Sequence, residues 1–144
     1  MRRLWLLILP IAILVGLSGC ARGDEIATPP ALPHSGQRLH LERGLLEGEQ
    51  GREGEPYYIE TASGALIPAP EQPGTRFLVA VGADGVTLVQ VRQGTVWVWA
   101  NDVWVSLADG QQTRIWPGRA PETPSGVSAY LDRVTYLANP RLGE

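Results

Sequence analysis

The sequence predicts an all-β domain, an antiparallel meander of short strands, followed by one short C-terminal helix. Three observations carry this. From Gln37 to Pro117, short β-branched and aromatic runs alternate with clusters of Gly, Pro, Asn and Asp, the punctuation of strands and turns. Helical periodicity is absent from that stretch. Beyond Trp116, the linker "PGRAPETPSG" leads to Val127, Tyr130, Leu131, Val134, Leu137 and Ala138, spaced as on one helix face.

In chain order, Met1-Arg2-Arg3 is a cationic start, and Leu4 through Leu17 is an uncharged apolar run, shorter than the ~20 residues that span a bilayer. It reads as a secretory signal over residues 1–19. The run ends in Leu17-Ser18-Gly19-Cys20, which resembles the lipobox of bacterial lipoproteins, whose cysteine sulfur accepts diacylglycerol. Burial of acyl chains is worth ~0.8 kcal/mol per methylene, so the expectation is an exported chain held on a membrane through Cys20. Ala21 resembles the outer-membrane sorting pattern of a Gram-negative envelope; in another envelope the place would be the outer face of the cell membrane. Cys20 is the sole cysteine, so packing rather than a disulfide must stabilise the domain. Residues 20–36 hold three prolines and read as a tether; at ~3.1 Å per residue it reaches up to ~50 Å. Arg22-Gly23-Asp24, an adhesion-like triplet beside the anchor, reads as coincidence. From Cys20 onward, ten arginines against fifteen acidic side chains leave the chain at −5, which argues against a nucleic-acid partner.

The β domain, residues 37–117, offers strands at 38–47, 57–61, 75–82, 86–92, 95–100, 103–107 and 111–116. The glutamate-rich piece "EGEQGREGEPYY", 47–58, reads as a solvated loop or hairpin tip. A one-residue slip sends every side chain to the opposite face, so the turns can be tested by what they pair. A three-residue Ala83-Asp84-Gly85 loop, with Gly85 left-handed, pairs Val81 with Thr87, Val79 with Val89 and Phe77 with Val91. A turn at Gln93-Gly94 sets Val91 against Val96 and Val89 against Val98, unless Gly94 marks a bend. A turn at Asn101-Asp102 pairs Val98 with Val105, Val96 with Leu107 and Trp99 with Trp104.

The meander then has two apolar faces. Phe77, Val79, Val81, Val89, Val91, Val96, Val98, Val103, Val105 and Leu107 form the core. The other face carries Leu78, Ala80, Leu88, Trp97, Trp99 and Trp104. A solvated face should be polar, and each Trp can bury ~150 to 250 Å², so something must cover these indoles. The cover is either the chain itself, through the early strands or the C-terminal helix, or a partner. Trp97, Trp99, Trp104 and Leu88 are therefore the candidate partner-binding residues.

Across residues 38–118, "LERGLLEG" and "IETASGALIPAPEQPGTRFLVAVGADGVTLVQVRQGTVWVWANDVWVSLADGQQTRI" resemble the FecR domain of bacterial envelope proteins. The matching elements are Thr61, Gly74-Thr75-Arg76-Phe77, the Asp84-Gly85 turn, Val89 and Val91 leading to Gly94 with Val96 and Val98, and Leu107 with Gly110-Gln111. The segment from Ile67 to Pro73 is longer and richer in proline than the family pattern. The resemblance implies solenoid-like stacked antiparallel sheets and protein contacts in the envelope, not enzymatic activity. With only Met1-Arg2-Arg3 ahead of its signal, the chain is not expected to share the family's relay to a cytoplasmic sigma factor.

For residues 118–144 the expectation is a linker and an amphipathic helix from about 125 to 138, capped near Thr123 and ended by Asn139-Pro140. No catalytic chemistry is legible. His34 lies in the tether, and His40 has Glu42 on its face; two dispersed histidines make no metal site, which needs three or four converging ligands. Neither a Gly-x-Ser-x-Gly motif nor a phosphate-cradling loop occurs, and the glutamates at 42, 47, 49, 53, 55 and 60 lack calcium-loop spacing. The expectation is a non-catalytic module without cofactor or metal that contacts an envelope protein. A glycan- or peptidoglycan-binding module and a purely structural subunit of an envelope complex are the other two readings.

Overall fold

The computed structural model describes residues 28–30, 37–49 and 57–144. The signal, Cys20, the Arg22-Gly23-Asp24 triplet, His34 and most of the glutamate-rich loop lie outside the described residues.

Among the described residues, ten strands form two five-stranded sheets. In chain order they are β1 (Gln37–Leu41), β2 (Gly44–Glu49), β3 (Tyr57–Thr61), β4 (Leu66–Pro68), β5 (Arg76–Val81), β6 (Thr87–Gln93), β7 (Val96–Ala100), β8 (Val103–Leu107), β9 (Gln111–Ile115) and β10 (Ser125–Gly126). The first sheet has the order β1-β3-β4-β7-β8 and the second β10-β9-β6-β5-β2. All pairs are antiparallel except β1 with β3. The fold is all-β, as the sequence predicts. From β3 onward, successive pairs alternate between the sheets, β3-β4 in the first, β5-β6 in the second, β7-β8 back in the first, and β9-β10 in the second.

Two hairpins have the predicted register. In β5-β6, Val81 faces Thr87, Val79 faces Val89 and Phe77 faces Val91, with Gly85 at φ +76 in the turn. In β7-β8, Val96 faces Leu107, Val98 faces Val105 and Trp99 faces Trp104. Asn101 and Asp102 have φ of 48° and 62°, the two left-handed residues of a type I′ turn, whose twist matches that of the flanking strands.

Of the two readings of Gln93-Gly94, the hairpin between β6 and β7 does not form and the bend at Gly94 does. These strands lie in different sheets, and Gly94, at φ +89, is the corner between them. A Cβ at Gly94 would run into the Thr75 side chain, and the Gly94 amide donates to the Asp109 carboxylate, so three loops meet at that corner. The single predicted strand at 38–47 is likewise divided. It turns at Glu42-Arg43, giving β1 to the first sheet and β2 to the second.

The sheets enclose one core. Ile59, Ile67, Val96, Val98, Ala100 and Leu107 of the first sheet meet Phe77, Val79, Val89, Val91 and Ile115 of the second. Leu39, Leu41, Tyr57, Leu46 and Val105 pack around this cluster. Val103, expected in the core, is 42% exposed at the hairpin end.

At one edge of the interior, three hydroxyls close a ring. Thr87 Oγ1 donates to Thr61 Oγ1 at 2.9 Å, and Ser63 Oγ lies 3.0 Å from Thr61 Oγ1 and 2.7 Å from Thr87 Oγ1. Each hydroxyl has one proton, so Thr61 must donate to Ser63 and Ser63 to Thr87. Thr61 belongs to the first sheet and Thr87 to the second, so the ring ties the layers together.

A second cluster covers the outer face of the second sheet. Leu78, Ala80, Val86 and Leu88 pack under Tyr136 and Leu142, with Leu45, Trp116 and Leu131 around them. The helix here, α1, is Arg133–Ala138 and so shorter than the predicted 125–138. Its start is set by Asp132, whose side chain accepts from the Thr135 amide at 2.7 Å. Upstream the chain is tied to the second sheet instead: β10 pairs with β9, and the Leu131 amide donates to Gln90 Oε1 at 2.8 Å. Beyond the helix, Asp84 Oδ2 accepts from the Gly143 amide at 2.9 Å and the Leu142 amide at 3.2 Å, pinning the C-terminal segment to the β5-β6 turn.

Candidate contact surface

The outer face of the first sheet follows from strand alternation and register. Inward residues of β7 are Val96, Val98 and Ala100, so Trp97 and Trp99 point outward. Across β8, Trp104 faces Trp99 and Ser106 faces Trp97. On the other side Leu66 of β4 faces Trp99, Glu60 of β3 faces Leu66, and His40 of β1 faces Glu60. One transverse row therefore reads His40, Glu60, Leu66, Trp99, Trp104. The neighbouring row begins with Arg38 and Tyr58, paired across β1 and β3, and Tyr58 faces Pro68.

The face has an aromatic half and a charged half. Trp97 and Trp104 meet edge to face, centroids 6.2 Å apart and planes at 85°. This geometry sets the positive ring edge of one indole against the negative face of the other. All three indoles are half-buried, and none belongs to either apolar cluster. In the charged half, the Arg38 guanidinium lies 5.1 Å from the Tyr58 ring centroid, donates to the Tyr58 hydroxyl, and approaches Glu60 at 3.5 Å. Nitrogens of His40 lie 3.6 Å from a Glu42 oxygen and 3.9 Å from a Glu60 oxygen. Exposed pairs of this kind add ~0 to 1 kcal/mol to stability, so their weight falls on what they offer a ligand.

The predicted site residues divide. Trp97, Trp99 and Trp104 share one face, on the reverse of the valine side, as expected. Leu88 does not join them. It is 7% exposed, on the other sheet, beneath Tyr136 and Leu142. The chain does cover part of the predicted outer face, since Leu78, Ala80 and Leu88 lie under the C-terminal segment. The early strands contribute to the sandwich interior rather than lying over the indoles. Sequence reading missed Arg38, Tyr58, Glu60 and Leu66 as parts of the face, because the β4-β7 pairing that brings them beside the tryptophans joins residues far apart in the chain.

Among the described residues no three His, Cys, Asp or Glu side chains converge as a metal site would require, and no helix is long and apolar enough to cross a membrane. Tyr57 sits at the sandwich edge, where burial pushes its phenol above the ordinary value.

No family model matches the chain, and no curated protein matches it. Among solved structures it is similar to two crystal structures of candidate anti-sigma factors from Parabacteroides distasonis ATCC 8503. One is 21% identical with a TM-score of 0.49, the match covering 67% of this chain and 45% of the other. The second is 20% identical with a TM-score of 0.43, covering 62% of this chain and 50% of the other. The chain thus spans about half the length of these two proteins, and the likeness carries no activity over to it.

Proposed function

We propose that the protein is a lipid-anchored, non-catalytic FecR-like module of the bacterial cell envelope that binds another envelope protein through the outer face of its first sheet. One observation carries this reading. Trp97, Trp99 and Trp104 lie together on a sheet face, half-buried and outside both apolar clusters, beside the charged group Arg38, His40 and Glu60. Aromatic anchors bordered by charged groups are the composition of a protein contact surface, with Trp and Arg as the residues that most often dominate binding. The anchor at Cys20 completes the reading by fixing the domain on a membrane.

The test is photo-crosslinking in intact cells from position 97 or 99. Capture of one specific envelope protein, reduced at least tenfold by Trp104→Ala, is the expected result. Unfolding of the domain by Trp97→Ala and Trp99→Ala, with nothing captured, overturns it and returns the indoles to a structural role.

The perpendicular Trp97-Trp104 pair, on the same sheet face as Arg38 and Glu60 across β4, also favours a glycan ligand, since sugars stack on indoles and bond to charged groups. Quenching of tryptophan fluorescence by peptidoglycan fragments, with no protein captured, would support that reading in place of the first.

A further inference from the structure

Among the described residues the two sheets end in four edge strands, β1, β8, β10 and β2, and three of these are guarded. β1 carries Arg38 and His40, which approach Glu60 and Glu42; β2 carries Glu47 and Glu49; and β10 is only Ser125–Gly126. Charge and brevity are the usual means by which an edge strand is kept from pairing with another chain. β8 has neither. Val103-Trp104-Val105-Ser106-Leu107 holds no charge, proline or glycine, and it pairs with β7 without a bulge.

The register fixes what this edge offers. In a two-residue hairpin the residues flanking the turn, here Ala100 and Val103, exchange both hydrogen bonds, and such pairs recur at every second position. Val103, Val105 and Leu107 therefore bond to β7, whereas Trp104 and Ser106 turn their N–H and C=O groups outward. Among the described residues β8 pairs with no strand but β7, and no other backbone bond reaches it. The side chains agree: Val105 packs toward the core yet is only half-buried, and Val103 is 42% exposed, as at a sandwich edge without a neighbour.

The outward groups of Trp104 and Ser106 are placed symmetrically about Val105, so the strand is its own complement. We propose that β8 pairs antiparallel with β8 of a second copy of the chain, about a two-fold axis at Val105. Trp104 then exchanges backbone hydrogen bonds with Ser106 of the second copy, a small side chain opposite a large one, and Val103 faces Leu107. One patch serves both copies, as a two-fold interface requires. The pairing stands on the edge alone. Its consequence rests on the proposed contact surface: Ser106 faces Trp97 within each copy, so the join places Trp104 of one copy in a row with Trp97 of the other, and the two indole faces become one.

The test uses the full chain with Cys20→Ser, which has no thiol, in detergent. Light scattering should give the mass of two chains, falling to one on dilution. Ser106→Pro removes an outward N–H and no bond to β7, a change that an edge strand tolerates, and should weaken the dimer at least tenfold with the melting curve kept. Val103→Lys sets a charge at the exposed end of the edge and should do the same; it decides the matter if the proline variant does not fold. Under oxidation Val105→Cys should link the copies by a disulfide, because residues opposite each other in such a pair lie ~4.5 Å apart at Cα. Val103→Cys should not, since each Val103 faces Leu107. A single-chain mass at every concentration, a dimer that survives either edge substitution in a folded chain, or a disulfide at position 103 rather than 105 would each overturn the proposal. Failure here leaves the contact surface to be judged by its own cross-linking result.

Discussion

Thr87 has no exposed surface, yet its side chain is polar and its burial is tolerated because Thr61 and Ser63 complete a ring in which each hydroxyl donates once and accepts once. Removing Thr87 leaves the Ser63 hydroxyl without its acceptor and the Thr61 hydroxyl without its donor, while the bond between them remains, and an unsatisfied buried polar group costs about 1–3 kcal/mol. Thr87→Val, close in shape, should therefore lower the stability of the folded state by about 1–3 kcal/mol in urea unfolding. A double change of Thr61 and Thr87 to Val should cost less than the sum of the single changes, since the partners are then removed together. None of this was legible in the sequence. A threonine on a β-strand face is common, and the ring depends on a turn residue, Ser63, reaching across to the other sheet.

Elements whose partners are near in sequence were the most legible. The Asp84-Gly85 and Asn101-Asp102 turns had only a few loop lengths to choose from, and the valine pattern selected one. At Asn101-Asp102 both residues are left-handed, a conformation that glycine adopts at lower cost than aspartate. Asp102→Gly should stabilise the hairpin by ~0.5 to 1 kcal/mol and raise the melting temperature by roughly 2 to 6 °C, read by calorimetry.

The C-terminal helix was less legible, because Val127, Tyr130 and Leu131 fit helical spacing but lie in irregular chain ahead of it. Leu131 packs on the second cluster, Tyr130 lies against Arg92, and the Gln90 side chain holds the Leu131 amide. Helix begins only where Asp132 caps it. The backbone amide of Thr135, and then its side chain, hydrogen-bond the Asp132 carboxyl and hold it below the ordinary carboxylate range. Its contribution is therefore complete above the ordinary carboxylate value and is lost as the pH falls through the lowered one. The Thr135 amide resonance should move in that acidic window, and Asp132→Asn, which keeps a capping acceptor, should abolish the movement.

Over the whole molecule, period-2 alternation predicted which residues point inward but not which sheet they belong to. Val91 and Val96 meet the same interior whether their strands form a hairpin or turn the corner at Gly94, so the core was legible while the topology was not. β4 was missed for a related reason. Pro68 and Pro70 mark a break in the sequence, yet Leu66 and Ile67 ahead of them are enough to join β3 to β7. The outermost layer depends on Asp84, which binds the C-terminal segment through two backbone amides. Asp84→Ala should free that segment, accelerating hydrogen exchange at Leu142 and Gly143 at least tenfold and leaving Leu88 open to solvent.

Thr28 and Pro30 line a cavity together with Trp97, which bears on how the domain would stand in an envelope. If the chain is moored at Cys20, only the seven residues 21–27 separate the mooring from that place, and at full stretch they reach ~25 Å. The leash would then be half as long as its sequence suggests, and the indoles would hang toward the lipid rather than away from it. Whatever grips them would have to approach through that narrow gap, along the bilayer surface.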